Sequence, residues 1–146
     1  MKNISIIGAG TMGNGIAQVF AMNNYKVNLI DLNSNSLSNG LNTISANLDR
    51  MVKRDILNPE QKLMTLDNIN TTVELNSSKT SDLVIEAVTE NLDVKLKIFR
   101  ELDQICSSKT MLATNTSSIS ITEIAASTKR EDKVIGMHFM NPVPIM

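Results

Sequence analysis

The chain has 146 residues, a formal net charge of −1, 42% hydrophobic residues and 20% charged residues, which is the length and composition of one globular domain with a proper core. Near-neutral charge gives no reason to expect nucleic acid or an anionic membrane as partner, and an aromatic content of 3% without Trp argues against a stacking surface for single strands. No apolar run is long enough to span a bilayer, and the single cysteine, Cys106, excludes an intrachain disulfide and a thiolate metal cluster.

The first apolar run, Ile4 to Ile7, leads straight into Gly8-Ala9-Gly10-Thr11-Met12-Gly13, and a helical pattern follows at Ile16, Val19 and Phe20. Strand, glycine turn and helix in this order form the dinucleotide fingerprint. Gly8 permits the tight turn, Gly10 lets the backbone approach a pyrophosphate, and Gly13 lets the helix pack on the strand. The helix start presents free N–H groups and a positive dipole end to the phosphates. The next run, Lys26 to Asp31, reads as a strand ending in an acid. Asp31 lies roughly 20 residues beyond the glycines, where a carboxylate accepts hydrogen bonds from an adenosine ribose. The same charge repels a 2′-phosphate, so the expected cofactor is NAD rather than NADP.

Ser36 to Arg54 reads as a long helix, and Asn58-Pro59-Glu60 as the capped start of another. This helix pair is an insertion between the second and third strands. Within it Lys53, Arg54 and Lys62 suggest a small cationic patch or a solvated face. Ile69 to Val73 is a weak strand, Asp82 to Val88 a strong one. A helix is expected through Leu92, Leu96, Phe99, Leu102 and Ile105, with Cys106 on its inner face as a small hydrophobe. Met111 to Asn115 is a further strand, Ser120-x-x-Glu123 a possible capping box, and Val134 to Phe139 a last strand. Alternation of strands and helices defines an α/β fold: a Rossmann-type, doubly wound, mostly parallel sheet.

Ligands of such sheets sit outside the carboxyl ends of the strands. His138, the only histidine, lies at one such end. It reads equally as a general base or as a half-buried histidine bonded to backbone. One histidine without a cysteine partner excludes the usual zinc sites, so no metal is expected. Ser117 and Ser118 follow another strand; a hydroxyl that orients a substrate oxygen competes with a simple helix cap. Glu90 could bond a ribose, hold Asn91, or sit at a helix N-terminus for its dipole. Lys95 could reach the cofactor or be a solvated helix charge.

Taken together, Gly8 to Gln18, Glu86-Ala87-Val88-x-Glu90-Asn91, Asn115-Thr116-Ser117-Ser118 and Gly136-Met137-His138-Phe139-x-Asn141-Pro142 resemble the 3-hydroxyacyl-CoA dehydrogenase family, in particular its short-chain bacterial 3-hydroxybutyryl-CoA members. The resemblance implies hydride transfer between NAD(H) and C3 of a short-chain 3-hydroxyacyl-CoA, in fatty-acid or butanoate metabolism. It implies that His138 is the base and that Ser117 binds the substrate oxygen near the nicotinamide. Gly8 to Gly13 and Asp31 would hold the ADP half, with Glu90, Lys95 and Asn141 contacting the rest, and Asn141 also near substrate. In the family a further strand supplies a glutamate that orients the histidine, and a helical domain carries the dimer interface. The 146 residues contain neither, so residues 1–146 are expected to be one NAD-binding domain of a longer homo-oligomeric enzyme, with little turnover alone. An N-terminus that enters the first strand at once and a lone cysteine suggest the cytoplasm. Two rival readings are a non-catalytic NAD-binding redox sensor and a dehydrogenase of a free 3-hydroxy acid.

Overall fold

A computed structural model of the chain describes residues 2–146. Strand β1 (Asn3–Ile7) is followed by helix α1 (Thr11–Met22), β2 (Lys26–Ile30), the helices α2 (Ser34–Lys53) and α3 (Pro59–Asp67), and β3 (Ile69–Thr72). A 3-10 turn at Leu75–Thr80 leads to β4 (Leu83–Glu86), α4 (Leu92–Ile105), β5 (Met111–Thr114), α5 (Ile121–Ala126) and β6 (Val134–Gly136). The strands form one sheet in the order β3-β2-β1-β4-β5-β6. Every neighbouring pair is parallel. The order reverses between β1 and β4, and a crevice opens there at the carboxyl ends.

Alternation along the strands divides the core in two. Ile4 and Ile6 of β1, Leu29 of β2 and Ile85 of β4 pack with Ile16 and Ala17 of α1 and Ile44 and Leu48 of α2. Ile7, Ile30 and Val84 face the other way, onto Phe99 and Leu102 of α4 and Ile124 of α5. A strand covered on both faces must be apolar at successive positions, which is why these runs barely alternate.

The helix pair stands where the sequence places it, between β2 and β3. Its first helix begins two residues earlier than expected, because Asn33 caps it: its side chain accepts from Asn35 N at 2.9 Å. At Asn58 a full capping box forms, with Gln61 N donating to Asn58 Oδ1 at 2.8 Å and Asn58 N to Gln61 Oε1 at 2.9 Å. The Ser120 box is half made, through Glu123 N to Ser120 Oγ at 3.3 Å. Lys62 pairs with Asp49 at 2.6 Å, so it ties α3 to α2 instead of joining Lys53 and Arg54 in a free cationic patch.

The second and third strands each end one residue before the expected bound, at Ile30 and Thr72, and the last three are also shorter than the apolar runs suggest. The fourth occupies Leu83–Glu86, not Asp82 to Val88, and the fifth stops at Thr114. The sixth pairs only through Gly136, not Phe139, because its partner β5 has ended. Beyond it Met137 N still donates to Thr114 O at 2.9 Å. Cys106 is buried as expected, but as the extended residue that ends α4 and not on the helix face. Its Sγ donates to Ser78 O at 3.5 Å. Burial pushes its thiol up to about 11, against the opposing pull of the Arg130 charge.

Candidate active site

The glycine turn is built as the motif requires. Gly8 has φ +103°, and a Cβ there would lie 2.7 Å from Ala87 O. At Gly13 a Cβ would lie 1.8 Å from Gly8 O, so only glycine lets α1 seat against the turn. Gly10 is different, with open space where its Cβ would be. It stands at the N-cap of α1 without a side-chain cap. The first N–H groups of the helix therefore need an outside acceptor. Ala9 is buried beside them, Thr11 is exposed, and Met12 turns toward the sheet end.

Asp31 closes the other side. Its Oδ2 accepts from Ala9 N at 2.9 Å and its Oδ1 from Asn33 N at 2.9 Å. One carboxylate thus joins the glycine turn to the start of α2 and still offers lone pairs to a diol. A cleft of about 570 Å³ opens beside it, lined by Gly8, Gly10, Asp31, Leu32, Val88 and Ile98 among others. A second cavity, about 240 Å³, is lined by Met12, Glu90, Lys95, Asn115 and Ser117. Ala87 and Val88 line both, so the two cavities adjoin where the chain leaves β4.

At the margin of the smaller cavity, which Ser117 lines, Ser117 Oγ lies 3.0 Å from His138 Nε2. The loops after β5 and β6 are side by side because those strands are neighbours. Phe139 N donates to Asn115 Oδ1 at 2.8 Å and fixes one loop to the other. His138 and Ser117 are both exposed. Asn141 is exposed too, three residues further on, and lines neither cavity.

Glu90 and Lys95 are placed differently from the simplest expectations. Lys95 is neither a solvated charge nor free: its Nζ is buried between Glu86 Oε1 at 2.7 Å and Glu90 Oε2 at 3.3 Å. Glu90 does not hold Asn91, which instead caps α4 through Val94 N at 3.1 Å. The Glu90 carboxylate takes Ser117 N at 2.9 Å, Ser118 Oγ at 3.1 Å and the Thr116 hydroxyl. Partial burial alone would raise its pKa, but these donors and the Lys95 ammonium hold it down to about 2. Two partners were missed from sequence. Glu86 ends an apolar run, and Thr116 sits in a serine-threonine stretch; neither neighbourhood hints at a buried ionic contact.

A parallel sheet with a glycine turn at its switch point, an acid at the end of β2 and a cleft between them defines a dinucleotide-binding domain. The chain belongs to the 3-hydroxyacyl-CoA dehydrogenase family: residues 3–146 match its NAD-binding domain. It is 44% identical over 143 residues to a 3-hydroxybutyryl-CoA dehydrogenase of Clostridioides difficile, covering 98% of this chain and 51% of that protein. It is 41% identical to a 3-hydroxyadipyl-CoA dehydrogenase of Escherichia coli, covering 100% of this chain and 31% of that protein. Among solved structures, an (S)-3-hydroxybutyryl-CoA dehydrogenase from Ralstonia eutropha superposes with a TM-score of 0.98 at 44% identity, covering 100% of this chain and 52% of that one. The chain spans about half the length of the first two solved and curated 3-hydroxybutyryl-CoA relatives it matches.

NAD is the cofactor of this domain family, and the residues present fit it. The gap at Gly10 and the uncapped start of α1 suit a pyrophosphate, and Asp31 suits an unmodified ribose. No helix is long and apolar enough to cross a membrane among the described residues.

Proposed function

We propose that this chain is the cofactor-binding half of an NAD-dependent dehydrogenase that interconverts short-chain 3-hydroxyacyl-CoA and 3-oxoacyl-CoA, as with 3-hydroxybutyryl-CoA and acetoacetyl-CoA. The observation that carries the reading is the 3.0 Å approach of Ser117 Oγ to His138 Nε2, beside the small cavity that adjoins the cleft at the glycine turn. The cofactor supplies an acceptor for the C3 hydrogen and its bonding electron pair.

The side chains manage the proton. His138 Nε2 takes the proton of the 3-hydroxyl as the C3–O bond becomes a carbonyl. In the reverse direction the imidazolium returns it to the alkoxide oxygen. A positioned base of this kind contributes roughly 10²–10⁴ in rate. Ser117 Oγ sits within hydrogen-bond reach of the same nitrogen, so a substrate oxygen seated beside the pair can meet both. Ser117 then orients the oxygen while His138 exchanges its proton. Glu90 fixes the Ser117 backbone from behind. Glu90 and Lys95 line the small cavity where the nicotinamide half belongs. Asn141 completes the proposed contacts to cofactor and substrate. Residues 1–146 act as one dinucleotide-binding domain, in a cytoplasmic homo-oligomer.

The test is acetoacetyl-CoA-dependent oxidation of NADH by the protein purified from its natural source. Oxidation with acetoacetyl-CoA and none with free acetoacetate is the expected result. Equal use of both would make it a dehydrogenase of free 3-hydroxy acids. NADH binding without oxidation would leave a binding module and overturn the proposal.

A further inference from the structure

Glu86 is a carboxylate at the end of a central strand of the sheet. Its strand lies between β1 and β5, its register partners are Ile7 and Thr114, and it is 0% exposed. A buried charge persists only when it is paired and hydrogen-bonded. Glu86 is both. Oε1 accepts from Val88 N at 2.7 Å and from Lys95 Nζ at 2.7 Å, and Oε2 accepts from Thr114 Oγ1 at 2.7 Å. Lys95, 1% exposed, is drawn by this contact into the core. Its second contact, with Glu90 Oε2, is longer. That leaves Glu90 Oε1 facing the loop after β5, where it takes the Ser117 amide and the Thr116 and Ser118 hydroxyls.

We infer that Glu86 is a positioning residue for the reaction: it anchors the Lys95 ammonium, which orients Glu90, which holds Ser117 against His138. The inference rests on the catalytic reading of Ser117 and His138. The core around β4 has no packing need for an acid, since Val84 and Ile85 fill the two faces. What an apolar residue at position 86 could not do is hold a lysine at a fixed point between two carboxylates. The chain of contacts runs from the end of β4 to His138 Nε2 without a gap longer than 3.3 Å.

The experiment is amide hydrogen exchange on the full natural chain, free of cofactor and substrate, comparing wild type with Glu86→Gln. The glutamine keeps the shape and loses the charge. Exchange at the Ser117 amide is expected to quicken by about tenfold while the Leu112 and Ile85 amides keep their wild-type rates. With acetoacetyl-CoA, kcat should fall by a similar factor of about ten and KM for NADH should hold within about twofold. Wild-type protection at Ser117, or equal acceleration at every amide, would overturn the inference. Should Glu86→Gln fail to fold, the double variant Glu86→Gln/Lys95→Met decides, since it removes both buried charges. A loosened Ser117 amide in that variant supports the positioning role, and wild-type protection there overturns it. The exchange readout stands even if the protein proves inactive on acyl-CoA substrates, so the two failures are separable.

Discussion

Ser117 and His138 are 21 residues apart in the chain and meet at 3.0 Å because β5 and β6 end side by side. Each residue belongs to the loop that leaves its strand, and the Phe139–Asn115 hydrogen bond keeps the loops from separating. The pair is therefore a property of the sheet order. Changing His138→Ala should lower kcat by about 10²–10⁴ while NADH binding, followed by its fluorescence, stays near wild type. Equal losses of binding and turnover would remove His138 from the role of base.

Asp31 accepts from two amides, Ala9 and Asn33, and the ribose is its proposed third partner. Asp31→Ala should weaken NADH and relax discrimination against NADPH, because the repelling charge is gone. It should also cost stability by about 1–3 kcal/mol, the usual price of an amide that loses a charged acceptor. Titration of both cofactors against wild type and variant checks this. Equal use of the two by the unmodified protein would refute the assignment.

The two glycines at the start of α1 should separate folding from binding. A methyl group at Gly13 would collide with Gly8 O, so Gly13→Ala should unfold several degrees earlier or fail to fold. A methyl group at Gly10 meets only open space. Gly10→Ala should melt close to wild type, since an N-cap glycine differs from alanine by about 1 kcal/mol at most, yet bind NADH distinctly less well. Thermal melts beside fluorescence titrations read both effects. Unchanged NADH affinity in Gly10→Ala would place the pyrophosphate elsewhere.

Glu90 gives a pH dependence with a definite sign. Its carboxyl, held down to about 2 from 4.5, binds a proton more weakly in the folded chain than in the unfolded one. Its contribution to stability is complete above about 4.5 and is lost as pH falls toward 2. Melting temperature should therefore fall more steeply over that window in wild type than in Glu90→Gln. Parallel curves for the two proteins would contradict the ionic role of Glu90.

How much of this was legible in the sequence follows from how local each signal is. The glycine turn, Asp31 and the succession of strands and helices depend on short segments, each with a conformational, charge or patterning requirement of its own. The helix pair shows through Asn58 and Pro59 at a start that only a capped helix needs. His138 and Ser117 could be singled out because both follow apolar runs, although on residues alone each had a plain structural alternative. Glu86 and Thr116 could not be singled out. Their partners come from the loop after β4, α4 and β5, and no spacing within one segment encodes a contact shared by three. Lys95 shows the same limit from the other side: a lysine in the second turn of a helix looks solvated until the strand beneath it proves to end in an acid. The strand ends were overextended for a related reason, since apolar residues continue after the ladder has lost its partner.

Cys106 gives the molecule a built-in chemical clock. Its sulfur is buried, engaged with Ser78 O, and held as the neutral thiol by a pKa near 11. Alkylating reagents attack the thiolate, so the folded chain offers them almost nothing to react with. A maleimide or disulfide probe should label the protein only in the moments when α4 comes away from the 3-10 turn at Leu75–Thr80. The labelling rate then reports how often that half of the sheet opens. Added NADH should slow it, without any change being made to the protein.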